Sequence, residues 1–288
     1  MLEACLRHDA HGMTGAEGSR CGSLHASTAR STQETAHEVT MRRWLGAILL
    51  LLSGAGAGLA GGRPADIVDA ATIVPNLQLD MRYVGSDNFV GRPIIAYRAP
   101  KCLLTKRAAE ALKRVQAELA EKGLGLKVYD CYRPQAAVND FVKWGKDLAD
   151  QKMKARFYPN VKKRNLFRSG YIASKSGHSR ASTVDLTIVP LPAPPQPAYD
   201  PAAPLTSCEG HKDARAPDNS LDMGTAFDCF SPRSHTAFSG IGPEQRKYRQ
   251  LLRSLMSKHG FANLRTEWWH YTLRNEPYPR TYFDFPVE

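Results

Sequence analysis

Two short stretches constrain this chain more than anything else in it. Ser176-Gly177-His178-Ser179-Arg180-Ala181-Ser182-Thr183-Val184-Asp185 and Glu267-Trp268-Trp269-His270 lie far apart, yet together carry two imidazoles and two carboxylates. Two imidazoles and one carboxylate can hold a divalent metal and leave its fourth position to water. A second carboxylate nearby can then take a proton from that water. Two nitrogens, one oxygen and an open position suit hydrolytic zinc better than a structural four-sulfur site would. Neither half is informative alone, because a lone histidine is usually a surface or capping residue. The order His-x6-Asp followed by Glu-x-x-His carries the reading, and the fold must bring both stretches to one point.

That convergence places demands on the backbone. On one flat strand, His178 and Asp185 would face opposite ways, so the turn before Thr183 must redirect His178. Glu267 and His270, three apart, raise the same problem, and a bulge or tight bend is expected near Glu267.

The N-terminal region is set aside. Met41-Arg42-Arg43 opens a positive segment, Trp44 to Leu52 is apolar, and Gly58-Leu59-Ala60 ends in small residues. This is the layout of a secretory signal, with an apolar core too short to span a membrane. Residues 1–40 are polar and lack apolar periodicity; they read as a non-native or disordered extension ahead of a true start at Met41. The expected mature region, 61–288, is long enough for one well-cored domain. Residues 1–60 hold five Arg and five acids, so the net charge of +11 is unchanged by their removal. Such a charge favours anionic surfaces in general and names no partner. The densest basic run, Lys152 to Arg168, reads as a solvated face rather than a nucleic-acid site. No nucleic-acid partner and no stable membrane anchor after processing are expected.

Four cysteines follow residue 60: Cys102, Cys131, Cys208 and Cys229. An even number in an exported chain suggests disulfides, with three connectivities open and four buried thiols as the bland alternative. The sequence-local pairing, Cys102 with Cys131 and Cys208 with Cys229, is the expected one.

Apolar spacing predicts a helix over 104–122, capped by Thr105 and stopped at Gly123, then a strand over 124–129. A second helix is expected over 134–149, with Pro134 in its first turn. Residues 183–189 alternate as a half-buried strand, with Asp185 on its more polar face and aimed out of the core. The proline-rich segment 190–220 reads as a loop or lid that Cys208 pins. A third helix covers 243–259, with Tyr248, Leu251, Leu252, Leu255 and Met256 inward, and a last strand covers 268–273. Helices and strands mix without regular βαβ alternation. The fold class expected is α+β: a mainly antiparallel central sheet flanked by helices in a single domain.

Ordered segments along residues 66–288 resemble the VanX-type D-alanyl-D-alanine dipeptidases, a zinc peptidase family with a hedgehog-like fold. They include Leu79-Asp80-Met81-Arg82-Tyr83, Asp87-Asn88-Phe89-Val90-Gly91, Tyr129-Asp130-Cys131-Tyr132-Arg133-Pro134 and Asp222-Met223-Gly224-Thr225-Ala226-Phe227-Asp228. Ser234-His235 and Tyr282-Phe283-Asp284-Phe285 belong to the same series, as do both metal stretches. The resemblance implies His178, Asp185 and His270 as ligands of one zinc ion, Glu267 as general base and Arg133 as the cation that stabilises the oxyanion. Asp130 orients Arg133 or meets the substrate ammonium, and Ser176 and Ser179 orient His178 or touch substrate. Asp228 and His235 shape the site, and Trp268 and Trp269 pack behind the ligand-bearing strand. The implied reaction is hydrolysis of the small D,D-dipeptide in the periplasm or outside the cell. A D,D-carboxypeptidase acting on larger cell-wall peptides, or a zinc module that binds wall material without cleaving it, are the alternatives.

Overall fold

Residues 62–288 are described by a computed structural model of the protein; the extension 1–40 and the signal-like segment 41–60 lie outside them. The central sheet has five strands in the order β2 (Gln78–Leu79), β4 (Leu124–Asp130), β5 (Thr183–Pro190), β7 (His270–Leu273) and β6 (Phe261–Asn263). Only the β2–β4 pair is parallel; the other three pairs are antiparallel. A separate antiparallel pair joins β1 (Ile67–Asp69) to β3 (Leu103–Thr105). The helices are α1 (Lys106–Ala120), α2 (Gln135–Lys146), the short α3 (Lys154–Phe157) and α4 (Pro243–Lys258). Among the described residues, no helix is long and apolar enough to cross a membrane.

One face of the sheet explains itself from its pattern. Leu126 and Val128 of β4 and Val184, Leu186 and Ile188 of β5 are fully buried in one cluster with Leu112, Val115 and Leu119 of α1. Leu252, Leu255 and Met256 of α4 join the same cluster. Thr105 accepts the Ala108 N–H and caps α1, worth about 1 kcal/mol. Gly123 takes φ +67°, the left-handed turn that lets the chain leave α1 for β4.

The other face corrects two sequence expectations. Strand β5 is not half-buried: Thr183, Asp185 and Thr187 are as inaccessible as the apolar residues between them. The cover comes from the proline-rich segment and its continuation through Phe227. Leu221 donates to Ile188 O at 2.8 Å, and Phe227 stacks on Tyr129 at 4.4 Å. Beneath this roof, Lys127 reaches Asp80 at 3.0 Å and Asp218 at 3.1 Å. Arg82 holds Asp80, Asp87 and Asp218 within 2.9 Å. Buried ion pairs add little net stability over apolar packing, but losing one partner strands the others. They fix where the roof sits. The segment 191–220 is therefore a cover for the sheet, and not a lid over the cavity at its β5–β7 end.

The basic run 152–168 is also more structural than a solvated face. Lys154 Nζ donates to the carbonyls of Tyr158, Pro159 and Val161, and Arg156 pairs with Asp87. Lys163 donates to Asp150 O, and its ammonium lies 3.9 Å from the Trp144 ring centre. Two strands, β3 and β6, and the buried Arg249 of α4 had no signal in the apolar pattern. Arg249 turns its guanidinium onto the carbonyls of Met223 (2.6 Å), His235 (2.7 Å) and Arg233 (3.0 Å), stitching the 222–235 segment to the helix.

The structure joins Cys102 to Cys131 and Cys208 to Cys229, with Cα separations of 5.1 and 5.5 Å. The first bond ties the approach to β3 to the end of β4. The second ties the roof to the residue after Asp228.

Candidate active site

His178, Asp185 and His270 come together at the end of the sheet where β5 meets β7. Asp185 and His270 face each other as register partners of the two strands. His178 arrives from a single 3-10 turn, Gly177–Arg180, which Ser176 caps by accepting the His178 N–H. Ala181 closes that turn in the left-handed region at φ 56°. This is the redirection that the seven-residue spacing demanded. Glu267 sits in a turn just before β7, where i and i+3 can share a side. Glu267 N donates to Leu264 O at 3.0 Å, and Asn263 Nδ2 donates to both Glu267 O and His270 O. Behind this turn Trp268 and Trp269 are buried edge-to-face, and Trp268 Nε1 donates to Thr225 Oγ1. They pack and do not line the cavity.

The three ligand atoms form a small triangle. Asp185 Oδ1 lies 3.2 Å from His178 Nε2 and 3.0 Å from His270 Nδ1, and the two nitrogens are 3.2 Å apart. Metal–ligand bonds of ~2.0–2.1 Å at tetrahedral angles put donor atoms roughly 3.3–3.4 Å apart, so a cation fits with a few tenths of an ångström of spreading. Two further observations fit a cation. Asp185 Oδ1 is buried without a hydrogen-bond partner among the described residues. His178 Nδ1 donates to Cys131 O at 2.6 Å, which leaves a bare lone pair on Nε2 facing the other two donors. Cys131 belongs to the first disulfide, so that bond anchors the carbonyl that sets the His178 tautomer.

Charge at the site follows from burial. Burial alone would raise Asp185, but His178 and His270 outweigh it and hold the carboxyl well below its usual range. Burial pushes Glu267 up to about 7, only partly offset by His270. Its carboxylate is 3.5 Å from His270 Nδ1, beside the ligand triangle. Asp228 is pushed well above the carboxylate range by burial and by Asp185.

Arg133 follows β4 and lines the same cavity, 14 % exposed. Asp130 Oδ2 accepts from its Nε at 2.9 Å and lies 2.8 Å from its Nη2, and the guanidinium sits 5.1 Å from the ring centres of Tyr83 and Phe141. Asp130 also accepts from Tyr97 OH at 2.7 Å and is wholly inaccessible. It holds Arg133 in place and does not line the cavity. Ser179 is likewise fully buried and off the cavity, whereas Ser176 lines the wall. His235 also lies away from the cavity and offers its carbonyl to Arg249.

Sequence reasoning gave Asp228 no specific role, and the structure gives it a definite place. It lines the cavity of about 310 Å³, buried, with Oδ2 accepting from Tyr83 OH at 2.7 Å. Its backbone sits at φ 56°, a conformation Asp tolerates, between Phe227 on Tyr129 and the disulfide at Cys229. The Phe-Asp-Cys spelling held no chemical signal of this; only the roof's path shows it. Residues of the Gly170 to Gly177 segment also line the cavity, with Tyr171 stacked on Phe230 at 5.1 Å.

A mainly antiparallel sheet carrying a His/Asp/His triangle, a neighbouring carboxylate and an anchored arginine is the framework of a metallopeptidase. The sequence model of the D-ala-D-ala dipeptidase family matches residues 63–191 and 214–288, and the chain belongs to that family. The stretch between the two matched parts falls in the proline-rich roof. Relatives include the D-alanyl-D-alanine dipeptidases of Enterococcus faecium, 37% identical over 216 residues, and Streptomyces coelicolor, 38% identical over 215. Each alignment covers 75% of this chain and 95% of the relative. The Escherichia coli (strain K12) D-alanyl-D-alanine dipeptidase is 30% identical over 211 residues, 72% of this chain and 84% of its own.

Proposed function

We propose that the chain hydrolyses D-alanyl-D-alanine to D-alanine, using one zinc ion held by His178, Asp185 and His270. The observation that carries this is the convergence of those three donor atoms beside Glu267, in a chain whose relatives are named for that dipeptide. When bound, zinc would supply Lewis acidity that lowers the pKa of water to about 7. Glu267 takes a proton from the attacking water and returns it to the amine as the carbon–nitrogen bond breaks. Two D-alanine molecules leave and the carboxylate is restored. Arg133, fixed by Asp130, donates to the carbonyl oxygen as negative charge grows on it.

Asp228 favours the dipeptide over longer substrates. A free dipeptide brings an ammonium group, which stabilises the ionised form of this buried carboxyl. At the same place a longer peptide has a neutral amide nitrogen, and would leave the carboxyl without a counter-charge. The cavity, at the small end for ligand sites, agrees.

The finer fold reading, one hedgehog-like domain over 61–288, rests on the family resemblance and is supported by the sheet order. Export to the periplasm or the outside is supported by the two disulfides, which persist in oxidising compartments. Residues 41–60 would act as the signal and leave no stable membrane anchor.

The test is a substrate panel on zinc-loaded protein. D-Ala-D-Ala should be cleaved, with L-Ala-L-Ala, N-acetyl-D-Ala-D-Ala and longer D-Ala-terminated peptides far slower. Comparable turnover of the longer peptides would instead establish a D,D-carboxypeptidase.

A further inference from the structure

The cavity wall holds three cations, and their surroundings differ. Arg133 is tied to Asp130 and wedged between two rings. Arg180 directs its Nε at both carboxylate oxygens of Glu276, at 2.9 and 2.8 Å, so its charge is neutralised. Lys175 has no carboxylate within ion-pair range among the described residues. Its ammonium rests 4.7 Å from the ring centre of Tyr282, on the segment that leads into the His178 turn. A ring face attracts an ammonium without consuming its N–H donors. Lys175 is an exposed residue that lines the cavity, and on that ring its ammonium keeps its hydrogen-bonding capacity free.

The other charges in the cavity make this unpaired cation informative. Asp185, Asp228 and Glu267 also line it, so a negative ligand group is best met where a cation has no carboxylate partner. The proposed substrate carries one such group, its C-terminal carboxylate. Resting on the dipeptidase reading, we infer that Lys175 is the specificity-determining residue for that carboxylate, with Tyr282 setting its position. Asp228 and Lys175 then recognise the two charged ends of the dipeptide. Lys175 acts on binding rather than on the reacting atoms, so its contribution is made equally in ground and transition states and enters KM.

The experiment compares D-Ala-D-Ala with its C-terminal amide, D-alanyl-D-alaninamide, which keeps the scissile bond and removes the negative charge. In the parent, kcat/KM should favour the acid over the amide. In Lys175→Gln that preference should fall roughly ten-fold, about 1.4 kcal/mol of charge-assisted hydrogen bonding, through KM on the acid. Lys175→Arg, which restores the charge, should recover part of it. The inference is overturned if the acid-to-amide ratio in Lys175→Gln equals that of the parent, whether or not activity on both substrates drops together. If the parent cleaves neither substrate when loaded with zinc, the dipeptidase reading itself falls and takes this one with it.

Discussion

Glu267→Gln should lower turnover of D-Ala-D-Ala by roughly 10²–10⁴-fold while leaving the metal content of the protein unchanged. Glutamine keeps the shape of the side chain and removes its ability to accept a proton. The turn that presents it is built from backbone and from Asn263, so it should survive the exchange. The amide also needs no compensation for burial, which now drives the carboxyl up to about 7. Folding should therefore not suffer. Near-parent turnover in the metal-replete variant, measured by D-alanine release, would remove Glu267 from the chemistry.

His270→Ala should have a still larger effect, because it removes a proposed ligand rather than a proton carrier. Asp185 would lose one of the two imidazoles that hold its carboxyl low, and the triangle would be reduced to one nitrogen and one oxygen. Zinc content should fall well below one per chain, and turnover should fall at least as far as in Glu267→Gln. Metal analysis of the dialysed variant checks this directly. Full occupancy there would mean that other residues bind the metal.

How much of this was legible in the sequence differs from element to element. Helix α1 was readable because its apolar face, its Thr105 cap and its Gly123 stop all agree. The burial of β5 was not, because alternation of Thr and Asp with aliphatics looks the same whether the polar face meets water or a roof. The roof comes from 191–228, and its buried ion pairs join residues as distant as Arg82 and Asp218. No local periodicity encodes such a contact. The same applies to Arg156, paired with the distant Asp87, and to Lys163, whose ammonium lies over the Trp144 ring.

At the site, the metal stretches were legible because ligand chemistry restricts residue type and order. The bend required near Glu267 followed from facing alone. Arg133 and Asp130 were placed together by resemblance, and the structure adds that Asp130 is inaccessible and bonded to Arg133. Asp228 was given no more than shaping of the site and Lys175 no role, because what distinguishes them is the lack, among the described residues, of a cation partner for the one and a carboxylate partner for the other. Pairing is a property of three-dimensional surroundings, and a sequence cannot display it.

The central claim is that one metal ion in the His178–Asp185–His270 triangle makes this chain a D-Ala-D-Ala hydrolase. Titrating metal-free protein with zinc while following D-alanine release from D-Ala-D-Ala tests it most directly. Activity should rise in proportion to added zinc and level off at one ion per chain. Tight binding of one zinc ion with no D-alanine released would contradict the account and leave a zinc-containing module that binds cell-wall material without cleaving it.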